Sequence, residues 1–457
     1  MSAAATELIS VNPSTLEEVG RTPITDADAL HRRVEEAHAA FADWRTDRAR
    51  RQGLLAACSV ELMRKLPQIA PLLSQEQGKT VEDAGNEVWI SARCLAHHAR
   101  VAWDDETPGV EAAGRSVVIQ HRPLGVVAAI VPWNFPVFLM MAKIAPALAA
   151  GNTVVVKPAE SVALVVGKVV EILNTVLPGG VLQIVQGGPE VGQALIGHRR
   201  VRKVSFTGST KVGTAIMRQA AETITPVTLE LGGNDPAIVL ADADLAACAT
   251  TLARNAFFNS GQMCIAPKRA YVPEHLVDAF CEAFSAEMAN LPVGDGLAPG
   301  TKVGPLHNRA QLDLVTELLE KAVAGGGRVV TGGGRGTDLP GYFLEPTLVR
   351  DVDDAADLVA LEQFGPVFPV VAYQDVEDVL ATLDEQEFGL GASVWGSTEA
   401  AEPVAQRIEA GSVWINQHNA LEVELPFGGL KSSGFGREGG EEGVQDFLAS
   451  RVVSTKR

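Results

Sequence analysis

The chain has 457 residues, 46% of them hydrophobic and 21% charged, with 44 Gly and 25 Pro. At roughly 150 residues per domain this implies about three domains or lobes, and it excludes whole-chain disorder, collagen-like repetition and dependence on a disulfide or metal staple. Its 56 acidic and 38 basic residues leave a net charge of −18, and a field of that sign repels nucleic acid and anionic membranes.

Residues 1–20 contain no basic segment followed by an apolar one, so no signal peptide is read there. Residues 26–66 carry helix formers with apolar positions three or four apart and predict helix. Residues 126–131 form a short β-branched run, 137–150 read as a helix stopped at Gly151, and 152–156 read as a strand. Residues 162–177 predict a helix ended by Pro178-Gly179-Gly180, and 181–185 and 201–206 predict two further strands. The second of these runs into Thr207-Gly208-Ser209-Thr210 and another helix. Such a junction can hold an anion on backbone N–H groups, although it lacks the G-x-G-x-x-G fingerprint. Strands alternating with helices at this spacing predict βαβ units and a parallel sheet, hence an α/β fold. The glycine-rich residues 325–336 lack G-K-[ST] and read as turns around the short strand at Val329-Val330. The longest apolar stretches, 124–133 and 137–142, fall short of the roughly 18 residues needed to cross a membrane.

Five cysteines occur, Cys58, Cys94, Cys248, Cys264 and Cys281, an odd count with no C-x-x-C pair. This argues against a disulfide framework or a structural metal and for a reducing, cytoplasmic compartment. Four lie in helical patterns and read as buried core residues. Cys264 differs, because it closes the small polar loop of FFNSGQMC.

Around it stand PWNFP at Pro132–Pro136, KPAE at Lys157–Glu160, SFTGST at Ser205–Thr210, ELGG at Glu230–Gly233, EQFGPV at Glu362–Val367 and PFGGLK at Pro426–Lys431. In this order they closely resemble the aldehyde dehydrogenase superfamily, from Asn12-Pro13 to the segment Ser433–Glu438, with Cys264 standing 34 positions after Glu230. The resemblance implies a modified Rossmann cofactor domain, an α/β catalytic domain and a small β oligomerisation element. Their expected extents are 1–103 and 124–230 for the cofactor domain, 104–123 for the oligomerisation hairpin, 231–430 for the catalytic domain and 431–457 for a return segment and strand. The hairpin and the tail have unpaired edges that would complete a sheet across a homodimer or homotetramer interface.

The implied reaction is oxidation of a small-molecule aldehyde to its acid with NAD, NADP being possible, and no metal. Cys264 is the implied nucleophile, since thiolate addition creates a tetrahedral centre that can release hydride. Asn134 and the Cys264 N–H match the oxyanion donors, and Glu230 matches the base that activates water on the thioester. Alone, an Asn between Trp and Phe would read as a turn residue and Glu230 as a solvated charge. Glu230 also favours water over coenzyme A as acyl acceptor; an acylating enzyme and a non-catalytic protein on the same fold are the alternatives. Lys143 and Glu438 match a proton exit route, or equally a plain salt bridge. By resemblance Ile130, Trp133, Lys157, Glu160, Gly188, Ser209, Leu231, Glu362 and Phe364 contact the cofactor. The Glu160 carboxylate suits two ribose hydroxyls better than a 2′-phosphate. Phe138, Met141 and Ile265 are expected to line an apolar substrate funnel, with Glu424 on the loop before PFGG. That loop has no Arg or Lys to anchor a carboxylate, so the expected substrate is an uncharged aliphatic or aromatic aldehyde. An aminoaldehyde or succinic semialdehyde is the alternative.

Overall fold

A computed structural model describes residues 6–109 and 114–456, so the parts of the expected cofactor domain, hairpin and tail that fall on 1–5, 110–113 and 457 lie outside the described residues. The chain builds two open sheets. One has six strands in the order Gly434–Phe435, Val227–Glu230, Val201–Thr207, Val126–Val131, Thr153–Pro158 and Leu182–Ile184. All its pairings are parallel except that of Gly434–Phe435. The other has seven, in the order Arg328–Thr331, Thr347–Val352, Val367–Tyr373, Pro267–Pro273, Asp235–Val239, Gly391–Trp395 and Ser412–Ile415. Only its Arg328–Thr331 edge is antiparallel.

Val126–Val131 reads VVAAIV because both of its faces are covered: every residue is buried. Continuous apolar runs are the mark of a parallel strand packed between two helical layers. The helices Arg48–Gln77, Val81–His98, Pro136–Ala150 and Ala163–Asn174 supply one of these layers. Pro136–Ala150 begins with Pro at its first position and ends at Gly151, whose φ of +101° suits glycine.

The expected helix over 26–66 is two helices, Ala27–Trp44 and Arg48–Gln77. Asp26 and Asp47 each accept a backbone N–H at the start of one helix, so a second N-cap restarts the chain where apolar spacing alone ran on. The helix expected over 162–177 begins as a single 3-10 turn, Glu160–Val162, and becomes α-helical only over Ala163–Asn174. The glycine-rich segment forms turns around the strand Arg328–Thr331, as its sequence indicated. Cys58, Cys94, Cys248 and Cys281 are buried on helices, and only Cys264 is partly accessible.

A third sheet is antiparallel and joins distant parts of the chain in the order Leu448–Lys456, Arg115–Pro123, Glu106–Pro108. Leu448–Lys456 pairs along its whole length with Arg115–Pro123 and leaves its other edge open, with Val452 67% exposed. Among the described residues no helix is long and apolar enough to cross a membrane.

Candidate active site

The site lies where the two large sheets meet. Asn134 follows the strand Val126–Val131, Glu230 ends the strand Val227–Glu230, and Cys264 precedes the strand Pro267–Pro273 of the other sheet. Asn134 and Glu230 lie at carboxyl ends of strands, where ligands of open parallel sheets bind, whereas Cys264 enters from the amino end of a strand of the other sheet.

The Cys264 loop is held by buried polar groups. Asn259 and Ser260 take left-handed φ values of 49° and 57°, which turns the chain sharply after the helix Leu245–Phe257. Lys268 Nζ donates to the carbonyls of Gly261 at 2.9 Å and Met263 at 2.8 Å. The His307 backbone N–H donates to Gln262 Oε1 at 2.8 Å, and the Asn134 side-chain amide donates to the Gln262 carbonyl at 3.2 Å. A carboxamide has two N–H donors, so Asn134 keeps one for another acceptor beside Cys264. Gly233, three residues after Glu230, packs against the loop, where an added Cβ would stand 2.6 Å from the Cys264 carbonyl oxygen, and the Glu230 charge is among those that act on the Cys264 thiol.

Glu230 is 3% exposed, and neither of its carboxylate oxygens has a hydrogen-bond partner among the described residues. Burial, and then the neighbouring Glu438 charge, push its pKa well above the ordinary carboxylate value. Lys143 is fully buried and binds Glu438, and its Nζ also donates to Thr207 Oγ1 at 2.6 Å. Thr207 is the cross-strand partner of Glu230, so the Lys143–Glu438 pair sits directly beside the candidate base. The Cys264 thiol is pushed up to about 12, first by burial and then by the charges of Glu362, Asp235 and Glu230, while Lys268 opposes.

The expected cofactor residues border the first sheet. Ile130 lies in the strand Val126–Val131 and Lys157 in Thr153–Pro158, with Lys157 Nζ 3.7 Å from Glu160. Gly188 and Ser209 are the N-caps of the helices Pro189–Ile196 and Thr210–Ala221. Trp133 stacks on His307 at 4.5 Å between ring centroids and meets the edge of Phe364 at 5.6 Å. Glu362 accepts the Gly233 N–H at 3.2 Å, and the Leu231 N–H donates to the Ser433 carbonyl at 2.9 Å.

A cavity of about 450 Å³ opens onto Asn134 and Cys264. Phe138 and Ile265 line it, as expected. Met141 does not: it is fully buried in the core, and Leu139 and Ala142 share the Phe138 face instead. Glu424 is not in the lining either; with Glu422 it holds Arg93, each at 3.4 Å. Trp89, Leu421 and Phe427 also line the wall; Phe427 belongs to PFGGLK and Leu421 to the loop before it, while no motif marks Trp89. Phe135 and Phe258, stacked at 5.8 Å in the same wall, lie within PWNFP and FFNSGQMC and could have been found from that position. No Lys or Arg lines the cavity. One group of metal-ligand type occurs among the described residues, His31, Glu35 and His198. The two imidazoles bond each other at 3.0 Å and Glu35 pairs with Arg200 at 3.2 Å, so their polar groups are already partnered.

The aldehyde dehydrogenase family model matches residues 1–453. The chain belongs to the aldehyde dehydrogenase family. Family members are oxidoreductases that act on the aldehyde group, and the α/β architecture is theirs. A glutarate-semialdehyde dehydrogenase of Pseudomonas putida is 38% identical over 449 residues, covering 97% of this chain and 93% of that protein. An NADP-dependent succinate-semialdehyde dehydrogenase of Escherichia coli is 36% identical, with 97% and 93% covered. The solved structure of betaine aldehyde dehydrogenase from Staphylococcus aureus in complex with NAD+ superposes with a TM-score of 0.95 at 30% identity, covering 100% of this chain and 93% of that one. The cavity wall offers the Cys264 thiol and the Asn134 amide, and the unpartnered buried carboxylate of Glu230 lies outside its lining.

Proposed function

We propose that the protein oxidises an uncharged aldehyde to its carboxylic acid with NAD through Cys264, Asn134 and Glu230. The observation that carries this reading is that Cys264 and Asn134 open together onto a largely apolar cavity, while the buried Glu230 carboxylate acts on the same thiol. Cys264, its thiol proton passed to solvent, adds to the aldehyde carbonyl, the oxyanion is held by the free Asn134 N–H and the Cys264 backbone N–H, and loss of the carbon-bound hydrogen as hydride to a bound nicotinamide would leave the thioester. Glu230 then takes a proton from the water that attacks the thioester. The orphaned oxygens of Glu230 fit a base that binds water rather than protein, and Lys143 and Glu438 stand ready to pass its proton onward. A buried base at this position supports water as the acyl acceptor and weighs against coenzyme A.

The residues bordering the first sheet fit a dinucleotide. Two helix N-termini, at Gly188 and Ser209, face where a pyrophosphate would lie, and the Glu160 side chain remains 43% exposed. When bound, the nicotinamide supplies the hydride acceptor. Glu362, Phe364, Trp133, Ile130 and the Leu231 backbone would hold its end of the molecule, and Lys157 and Glu160 the adenosine ribose. Glu190, whose carboxylate accepts the Gly188 N–H at 3.0 Å, adds a second negative charge near Lys157, which favours NAD over a 2′-phosphorylated cofactor.

The semialdehyde-oxidising relatives handle anionic substrates. Here Arg93, which pairs with Glu422 of the cavity wall, is already shared by two carboxylates. A panel of aliphatic, aromatic, amino- and carboxy-aldehydes, run with NAD and NADP and without coenzyme A, tests the reading by NADH formation. Neutral aldehydes with NAD should give kcat/KM at least about tenfold above carboxy-aldehydes, the equivalent of one missing ion pair. A best substrate bearing a carboxylate would overturn the substrate class, and strict coenzyme A dependence would overturn the hydrolytic reaction.

The division at 103, 123, 230 and 430 belongs to the same reading and is supported by sheet membership. So does homo-oligomerisation, supported by the open edge of Leu448–Lys456. Light scattering at micromolar concentration should give two or four times the 48.2 kDa chain mass; a monomer would sink it. Five free thiols, one of them reactive, support a reducing, cytoplasmic location.

A further inference from the structure

Asn134 is fixed in part by groups outside the site motifs. Its backbone carbonyl accepts from Lys79 Nζ at 2.8 Å and from Asn259 Nδ2 at 3.1 Å. Lys79 pairs with Glu87, and the two side chains are 0% and 1% exposed. The other oxygen of Glu87 accepts the N–H groups of Val137 at 2.8 Å and Phe138 at 3.1 Å. These belong to the first turn of the helix Pro136–Ala150, whose own N-cap, Phe135, has no side chain able to cap it. Glu87 therefore caps that helix from a neighbouring one, and Lys79 lies 3.7 Å from the centre of the Phe135 ring. The pair grips the chain on both sides of the Asn134–Phe135 link.

Stability alone does not account for such a pair. Burying two charges costs several kcal/mol per ion, and a well-packed apolar pair usually does as well or better. What an apolar pair would not provide is a donor for the Asn134 carbonyl or an acceptor for the two helix N–H groups. The backbone of Lys79 is itself tied down, its carbonyl accepting from Ser74 Oγ at 2.7 Å and its N–H donating to Gln77 Oε1 at 2.9 Å.

We propose that the buried Lys79–Glu87 pair positions the Asn134 amide for the oxyanion, clamping its carbonyl on one side and the following helix turn on the other. This rests on the reading of Asn134 as an oxyanion donor. Lys79 and Glu87 are positioning residues, since they act through Asn134.

A double-mutant cycle tests it. In the wild-type background Lys79→Met should lower kcat about 100-fold, the scale of a misplaced catalytic group, with NAD binding by tryptophan fluorescence unchanged. In an Asn134→Ala background the same substitution should change kcat by less than about twofold, because the amide it positions is gone. Equal losses in both backgrounds would overturn the proposal and leave a structural pair. An Asn134→Ala enzyme of wild-type kcat would remove the oxyanion reading itself, and this proposal with it. If Lys79→Met fails to fold, Lys79→Met with Glu87→Gln leaves no unpaired buried charge and keeps the acceptor for the helix turn, and it carries the same cycle.

Discussion

Replacing Cys264 with Ala abolishes NADH formation from aldehydes, a fall in kcat/KM of at least about 10⁴-fold, as expected when a covalent nucleophile is deleted. The fold survives, because Cys264 is the one cysteine that is not packed into a helical core and its side chain borders a cavity. The thermal midpoint should move by no more than a few degrees, so loss of activity and loss of structure separate cleanly. Near wild-type turnover would end the proposed mechanism. The same thiol gives a pH signature. Burial and three facing carboxylates hold it protonated at neutral pH, with its pKa pushed up to about 12. Alkylation of the cofactor-free enzyme by iodoacetamide should therefore accelerate about tenfold per pH unit from neutral well into the alkaline range. A plateau below pH 9 would show that the thiolate is already formed at rest.

Replacing Glu230 with Gln lowers steady-state kcat by about 10²–10⁴-fold, the usual contribution of a positioned base. Hydride transfer precedes the step this base serves, so the first turnover should still release NADH as a burst equal to the number of active sites. The pH profile distinguishes this role from a structural one. Burial first, and then Glu438, raise the Glu230 pKa, while Lys143 and Arg437 oppose. A base works only when ionised. The acidic limb of kcat should thus lie above the ordinary glutamate range, activity falling as pH drops through it, and it should vanish in the E230Q enzyme. Wild-type kcat in that enzyme would remove Glu230 from the mechanism, and a missing burst would move its role to activation of the thiol.

Much of the site could be read from the chain because its groups lie in short contiguous motifs. PWNFP, ELGG and GQMC each carry a reactive side chain with its own turn chemistry, and local sequence is enough to specify that. The substrate wall was less legible. Phe138 and Met141 both look like lining residues in an apolar helix start, yet only a packed helix shows which stripe faces the cavity, and that stripe runs through Phe138, Leu139 and Ala142. Glu424, expected beside the funnel on the loop before PFGG, is held instead by Arg93, 331 positions away.

The sequence by itself determined the parallel α/β plan, the buried strand Val126–Val131, the helix ended by Gly151 and the division of the cysteines into four and one. These follow from apolar periodicity, capping and turn residues, which act over a few positions. The tertiary structure alone decided that Glu230 has no partner among the described residues, that Lys143 also reaches Thr207 opposite it, and that Lys79 and Glu87 grip the chain around Asn134. Each of these depends on whether a buried polar group finds a partner far along the chain. Close packing settles that, because an unmet partner costs as much as a hydrogen bond, and no local pattern records which distant group will arrive.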